Sequence, residues 1–166
     1  MERYKIDILG ISEVKWTGLW DVWSGDCRVI FIGDEDKITG LGIVVNKDPG
    51  HKIKSIIHFN QRIIGIKIEI KQTETFIIQI YMPTSSNKHE EIEELYEPIS
   101  EVIEIAKEKD NLIIIEDWNA VVGERSVQEV TGNFGLGTRN QRGDRIIKFC
   151  KERDLIITNK LFSKPK

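Results

Sequence analysis

The chain has 166 residues, of which 40% are hydrophobic and 31% charged, and its formal net charge is −3. This is the composition of a globular protein of one-domain size, long enough to bury a sizeable core. No apolar run approaches the roughly 20 residues that span a bilayer, so we expect no contact with a membrane. The acidic total excludes a nucleic-acid footprint spread over the whole surface, so any polyanion must bind a local patch.

The two cysteines, Cys27 and Cys150, lie far apart in the sequence and form no Cys-x-x-Cys or Cys/His spacing. A disulfide framework or a zinc site is therefore not expected, and a reducing compartment fits. The first ten residues lack the apolar core and the cleavage site of a signal peptide. We expect an intracellular protein, nuclear or cytoplasmic, and no pattern in the sequence indicates an obligate protein partner.

Short β-branched runs fill the first half of the chain and predict strands. These runs cover residues 6–11, 28–32, 41–46, 53–59, 63–71 and 74–81. Residues 16–26, which contain three tryptophans and two glycines, predict a surface loop. In residues 63–71 an isoleucine stands at every second position from Ile64 to Ile70, which predicts a strand with one face in the core and one toward water.

The periodicity changes after residue 83. Residues 90–109 carry apolar side chains at helical spacing and predict an amphipathic helix, which Pro98 should kink or split. The remaining elements are a strand buried on both faces, a glycine-rich loop, a second helix and a last strand, at residues 112–115, 132–143, 144–153 and 155–158. This order predicts a layered α/β sandwich rather than a purely parallel sheet.

Polar side chains follow directly after three of the predicted strands. Glu13 follows the first strand, Tyr81 closes the sixth, and Asp117 and Asn119 follow the seventh. If these strands lie side by side, the groups converge on one rim, because ligands of open α/β sheets sit at the carboxyl ends of strands. A carboxylate suits Mg²⁺, an aspartate and an asparagine can deprotonate and orient a water, and a phenol can donate to a phosphate oxygen. Together they are the parts of metal-assisted phosphodiester hydrolysis.

Each of these residues also has an ordinary structural interpretation. Glu13 fits a solvated carboxylate, and Tyr81 fits an aromatic that caps the sheet. Asp117 and Asn119 are residue types that favour turns. From its position in the glycine-rich loop alone, Asn140 fits a turn residue better than a substrate contact.

Four ordered segments of the chain resemble the motifs of the endonuclease/exonuclease/phosphatase superfamily, the DNase I-like proteins. They are ILGISEVKW (8–16), IYMPTSSN (80–87), IIIEDWNAVVG (113–123) and GLGTRNQRGDRIIKFC (135–150). The resemblance is strongest to the apurinic-like endonuclease domain of non-LTR retrotransposons and to the craniofacial development protein 2 group derived from such elements. It implies an α/β fold, a four-layer α/β/β/α sandwich of two mixed sheets, and hydrolysis of DNA phosphodiester bonds with Mg²⁺ or Mn²⁺.

The resemblance also implies a role for individual residues. Glu13 matches the metal-binding glutamate, and Tyr81 matches the tyrosine that contacts the scissile phosphate. Asp117 matches the residue that activates the water, and Asn119 its orienting partner. Asn140 matches an asparagine of the substrate-facing loop.

Basic and aromatic side chains near the same segments are candidates for contact with DNA. We expect Lys15, Arg139 and Arg142 near the rim, where they could neutralise phosphates despite the acidic total. Arg145 either joins them or belongs to the solvated face of the last helix. Trp16 either stacks on a nucleotide or covers the edge of a sheet.

The sequence departs from the family pattern at Glu116, where the family usually has glycine. The extra carboxylate either raises the pKa of Asp117 and repels the phosphate, or points away, because adjacent residues of a strand face opposite sides. The chain also lacks the family's first strand, which ends in asparagine, and its last segment, Ser-Asp-His. We therefore expect one endonuclease/exonuclease/phosphatase domain over residues 1–166, truncated at both ends. An active endonuclease, a catalytically dead binding module and a phosphatase of the same fold all stay open.

Overall fold

The computed structural model of the chain describes residues 1–35, 40–83, 89–107, 109–116 and 118–163. The chain divides into two compact units, Met1–Glu116 and Asp117–Lys166, and each is described by itself. Within these described ranges no helix combines the length and the apolar character that crossing a bilayer requires. The organisation as one truncated domain stays a prediction.

The first sheet of the first unit is antiparallel throughout. Its strands lie in the order β1-β4-β3-β2 and comprise β1 (Ile8–Ser12), β2 (Gly18–Ser24), β3 (Cys27–Gly33) and β4 (Gly40–Asn46). A 3₁₀ turn precedes β1 and a short helix, α1, follows β4, at Glu2–Tyr4 and Lys47–Gly50. A mixed pattern was expected of both sheets, and among the described strands it applies to the second sheet alone.

The second sheet combines two hairpins with one parallel strand. Its order is β5-β6-β7-β8, with β5 (Ile53–Asn60), β6 (Ile63–Ile70), β7 (Thr73–Ile80) and β8 (Asn111–Ile115). The pairs β5-β6 and β6-β7 are antiparallel, whereas β8 runs parallel to β7. A parallel pair needs a long connection, and helix α2 (His89–Ile103) lies in it.

An isoleucine-rich layer between the two sheets forms the core of the first unit. Alternate residues of β6 supply Ile64, Ile66 and Ile68, all fully buried, as the sequence predicts. Ile63 and Gly65 on the other face are buried as well, so the expectation that this face meets water is wrong for the first part of the strand. The facing strands β3 and β4 supply Ile30, Leu41, Ile43 and Val45, and the neighbouring strand β7 supplies Ile77. Two four-stranded sheets with few helices, in a mixed α/β chain, agree with the predicted α/β fold of two sheets.

The loop predicted over residues 16–26 is wrong, because β2 occupies most of it and pairs with β3 along its whole length. Its tryptophan, leucine and valine side chains favour strands. Gly25, with φ +58°, provides the hairpin turn between the two strands. All residues of β2 are exposed, since it is an edge strand, so the chain carries no inside/outside alternation here that would indicate a strand.

Two further expectations for the first unit are wrong. Helix α2 ends at Ile103 rather than at residue 109. It runs through Pro98 without a split, and a kink there stays a prediction. Ile99 and Val102, just after the proline, are fully buried, and tertiary burial of this kind outweighs a poor local propensity. Residues 112–115 are not buried on both faces, because β8 is an edge strand among those described and Ile113 is 45% exposed.

The second unit is organised around helix α3 (Gln141–Glu152), which buries Ile146, Ile147, Phe149 and Cys150. The helix begins three residues before its predicted start, because Asn140 caps it. The strand predicted over residues 155–158 is wrong, since Ile157 makes only an isolated bridge with Thr131. The N–H of Leu155 donates to the Cys150 carbonyl at 2.8 Å, which turns the chain at the helix end instead of extending it.

Replacing a buried and an exposed isoleucine of the second sheet should separate the inter-sheet core from its edge. Ile66→Ala should lower the free energy of unfolding by about 2–5 kcal/mol, because it leaves a cavity between the sheets. Ile113→Ala, at a half-exposed position, should cost less than about 1 kcal/mol. Urea unfolding followed by circular dichroism measures both values, and equal costs would contradict the assignment of the core.

Candidate active site

The end of β1 presents Glu13 on a turn of unusual backbone geometry. Glu13 has φ +58°, in the left-handed region that residues other than glycine seldom adopt. The N–H of Val14 donates to the Gly40 carbonyl at 3.1 Å and so fixes the chain directly after it. The Glu13 side chain is exposed. Strained conformations of this kind persist where the surrounding structure holds them, often at functional sites.

Tyr81, which follows β7, contacts Glu13 across the two sheets. Its hydroxyl donates to Glu13 Oε1 at 3.4 Å, a distance at the long end for such a bond. The Tyr81 N–H donates to the Arg62 carbonyl at 2.9 Å, and the Arg62 guanidinium lies over the Tyr81 ring, 5.4 Å from its centre. The structure therefore brings together two of the predicted site residues.

The surroundings of Tyr81 favour its neutral form. Burial raises the pKa of the Tyr81 hydroxyl above its usual range, and the nearby Glu13 and Glu116 carboxylates add to the rise, whereas Arg62 opposes it. At neutral pH the phenol therefore keeps its proton. A protonated hydroxyl next to a carboxylate is a hydrogen-bond donor that can be redirected to another oxygen.

Gln79 forms a second polar link between the sheets, and sequence reasoning missed it. Its side chain is 2% exposed and donates through Nε2 to Ser12 Oγ and to the Ile80 carbonyl, both at 3.1 Å. On the facing strand, a side chain at Gly10 would overlap the Gln79 amide, so glycine permits the close approach. The available signal was a lone glutamine in the apolar run of β7, two residues before Tyr81.

Glu116 is directed at the end of β7. Its Oε1 accepts a hydrogen bond from the backbone N–H of Met82 at 2.9 Å, and the side chain is half-buried. The parallel register, in which Gln79 pairs with Ile115, places residue 116 alongside the exit of β7. The described structure therefore links the Glu116 carboxylate to the segment that carries Tyr81. Its predicted effect on Asp117 stays a prediction, because Asp117 lies outside the described residues.

In the second unit, Asn119 follows Trp118 at the start of the described segment. Asn119 has φ +46° and is partly buried. Asparagine tolerates this left-handed conformation better than most residues, so the geometry agrees with the turn-forming interpretation. The Trp118 ring lies 6.1 Å from the ring of Phe149 on α3. The water-orienting role of Asn119 stays a prediction.

The Asn140 side chain forms hydrogen bonds at the N-terminus of α3. Its Oδ1 accepts from the N–H groups of Gly143 at 2.8 Å and Val121 at 3.1 Å, and its own N–H donates to the Val121 carbonyl. It is the N-cap of α3 and fastens the 121 segment to the helix. This geometry matches the ordinary interpretation of Asn140, and its contact with substrate stays a prediction.

Two cations of the second unit hold its loop together. Arg139 donates to the carbonyls of Val122 at 2.9 Å and Arg125 at 3.3 Å. Lys160, a buried residue that no sequence pattern singled out, donates to the carbonyls of Gly123 and Arg125. Burial lowers the pKa of Lys160, and the charge of Arg139 lowers it further. Arg139 therefore braces its own loop.

The remaining candidates for DNA contact vary in exposure. Lys15 is exposed and Arg142 is half-buried. Trp16 packs edge-on against Phe31, with ring centres 4.9 Å apart, and leaves half of its surface exposed. Its packing matches the interpretation in which it covers the sheet. The described residues contain no group of three or more His, Cys, Asp or Glu that could hold a metal ion.

Comparison with known proteins agrees with the resemblance seen in the motifs. No family model matches the chain. It is 40% identical over 166 residues to Craniofacial development protein 2 of Bos taurus and 38% identical to that of Tragulus javanicus, with 99% of the chain covered in both. The chain spans 28% and 29% of the length of these relatives.

A solved structure supports the same fold. The endonuclease domain of TRAS1, a telomere-specific non-LTR retrotransposon, is similar with a TM-score of 0.57 and 19% identity. The match covers 91% of this chain and 60% of that domain. This structural match shows a DNase I-like fold. Together with the sequence identities above, it confirms the resemblance to retrotransposon endonuclease domains and to the craniofacial development protein 2 group.

The cap at Asn140 gives a direct test of its structural task. Asn140→Ala should lower the free energy of unfolding by about 1 kcal/mol, because two N–H groups lose their acceptor. Asn140→Asp keeps a side-chain oxygen at the helix N-terminus and should lose little. Urea unfolding of both variants measures this difference. An alanine variant as stable as the parent would show that the cap contributes nothing.

Proposed function

We propose that the chain is an endonuclease-like domain of retrotransposon ancestry that hydrolyses phosphodiester bonds of DNA with Mg²⁺ or Mn²⁺. The observation that carries the proposal is the hydrogen bond between Tyr81 and Glu13, which joins the exits of β7 and β1. The similarity of the fold to a retrotransposon endonuclease domain supports it. We place the protein inside the cell, in the nucleus or the cytoplasm, since both cysteines are free thiols.

Glu13 has the chemistry that Mg²⁺ needs. Its carboxylate is exposed, and among the described side chains the Tyr81 hydroxyl is its one hydrogen-bond partner. Mg²⁺ is commonly held by one or two carboxylates and completes its shell with water and substrate phosphate oxygens. When bound, the ion would neutralise the charge that builds up on the phosphoryl oxygens. Mn²⁺ accepts the same oxygen ligands.

Tyr81 would orient the phosphate. Its neutral hydroxyl, now donating to Glu13, would donate to a phosphate oxygen of the substrate. The Arg62 guanidinium over the ring and the hydrogen bond from the Tyr81 N–H hold the aromatic ring in place. Positioned donors of this kind need no reorganisation during the reaction.

The remaining roles start from the sequence and from the family resemblance. Asp117 would take a proton from the attacking water, and Asn119 would orient that water or the aspartate. Lys15 and Arg142 would neutralise phosphates of the bound DNA. Asn140 would contribute through its amide nitrogen, since its oxygen already accepts two backbone hydrogen bonds.

A binding module without turnover is the second candidate. Its support is that Arg139 and Asn140, both expected to contact substrate, are engaged in hydrogen bonds that hold their own unit together. Such a protein would retain DNA through its exposed cations and leave the strand intact. A phosphatase of the same fold would instead release phosphate from a small headgroup.

Nicking of supercoiled plasmid in the presence of Mg²⁺ tests the proposal. The unaltered chain should nick, and a chelator should stop it. Asp117→Ala should reduce the rate by at least about 100-fold, because it removes the group that takes a proton from the attacking water. Tyr81→Phe should reduce it by about 10- to 100-fold, because it removes a donor to the phosphate.

Tyr4→Phe is the matched control, because Tyr4 is 71% exposed and precedes β1, whereas Glu13 follows that strand, so this variant should nick at the unaltered rate. Nicking that persists in the chelator or in Asp117→Ala would refute the mechanism. Plasmid retention without nicking would favour the binding module. Release of phosphate from a headgroup without nicking would favour the phosphatase.

A further inference from the structure

The backbone on either side of Tyr81 is anchored by two different partners. The Tyr81 N–H donates to the Arg62 carbonyl, at the start of β6, at 2.9 Å. The next N–H, that of Met82, donates to Glu116 Oε1 at 2.9 Å. Because successive N–H groups of an extended chain point to opposite sides, the first faces β6 and the second faces β8.

Glu116 supplies an acceptor where the ladder between β7 and β8 has ended. The last paired residues of the two strands are Gln79 and Ile115. Met82 is buried, so its N–H would be left without a partner and away from water if no side chain reached it. The Glu116 carboxylate takes the place of a strand carbonyl.

The residue that follows Met82 cannot supply another backbone N–H to anchor the segment. Pro83 comes directly after Met82 and has no N–H. The hydrogen bond to Glu116 is therefore the anchor nearest to Tyr81 on its C-terminal side. Loss of this bond would remove one restraint on the peptide between Tyr81 and Met82, and a rotation of that peptide would displace the phenol from Glu13.

We propose that Glu116 is a positioning residue of the candidate active site: by accepting the Met82 N–H it holds the Tyr81 hydroxyl beside Glu13. The inference rests on the proposed function and deepens it, since it assigns a task to a residue at which the family usually has glycine. Glycine has no side chain that could accept this hydrogen bond, so the contact depends on the glutamate of this chain.

Two other tasks for Glu116 make different predictions. A second metal ligand would need the negative charge of the carboxylate, and so would a group that repels or tunes the phosphate. A positioning residue needs only an oxygen that accepts the Met82 N–H. Glutamine has the same length and keeps this oxygen without the charge, so Glu116→Gln separates acceptance of the hydrogen bond from charge.

The experiment compares Glu116→Gln with Glu116→Ala and with Glu101→Ala, an exposed glutamate of α2 as the matched control. The first measurement is amide hydrogen exchange of Met82 by NMR. Glu116→Ala should exchange at least about tenfold faster at this amide, and Glu116→Gln and Glu101→Ala should match the parent. The second is the ¹⁹F signal of 3-fluorotyrosine at Tyr81, assigned with Tyr81→Phe, which should shift or broaden in Glu116→Ala only.

Plasmid nicking provides the functional measurement. Glu116→Ala should lower kcat by about tenfold with little change in KM for DNA, since positioning acts on the bound complex, and Glu116→Gln should restore kcat. A glutamine variant that behaves like alanine in exchange or in nicking would overturn the inference, and so would unchanged Met82 exchange in Glu116→Ala. If the unaltered chain does not nick, the proposed function fails, and the two NMR measurements still decide whether Glu116 positions Tyr81.

Discussion

The isoleucine layer between the two sheets sets the distance at which the strand ends of the first unit face each other. Its members are fully or almost fully buried and come from both sheets, so neither sheet can shift without opening a cavity. Large isoleucine side chains fill most of the layer. At one end Gly10, which has no side chain, leaves room for the Gln79 amide of the other sheet. The polar contacts at that end form because the apolar packing beside them fixes the distance between their partners.

Three polar contacts follow one another along the end of β7. Gln79 links to Ser12, Tyr81 links to Glu13, and Met82 links to Glu116. The first lies within the core, the second at its rim, and the third beyond the last pairing of β7 with β8. A buried polar group that loses its hydrogen-bond partner costs free energy, so these three contacts hold the segment in one geometry. A defined geometry is what a phosphate-orienting tyrosine requires.

In the second unit, side chains that bind backbone groups hold the loop in a defined geometry. Its loop from Val121 to Arg125 is held by the Asn140 cap and by two cations that donate to backbone carbonyls. Asparagine, arginine and lysine side chains here replace the strand ladder that the first unit uses. Substitutions at Arg139 or Lys160 should therefore be interpreted first as changes to loop structure.

The strands of the core were predictable because burial on one face imposes alternation, as the isoleucines of β6 illustrate. β2 was not, because an edge strand with every residue exposed carries no such pattern. Of the candidate site, the pairing of Glu13 with Tyr81 follows from residues at strand ends. The roles of Gln79, Lys160 and Glu116 do not, because each depends on a long-range contact that sequence spacing does not encode.

The double-mutant cycle of Glu13→Gln and Tyr81→Phe, read as the rate of Mg²⁺-dependent plasmid nicking, tests most directly whether the two residues act on one phosphate. If they do, the double variant should be scarcely slower than the more damaged single variant, with a coupling energy above about 1 kcal/mol. Losses that add within about 0.3–0.5 kcal/mol would mean that the two side chains act independently and would contradict the account.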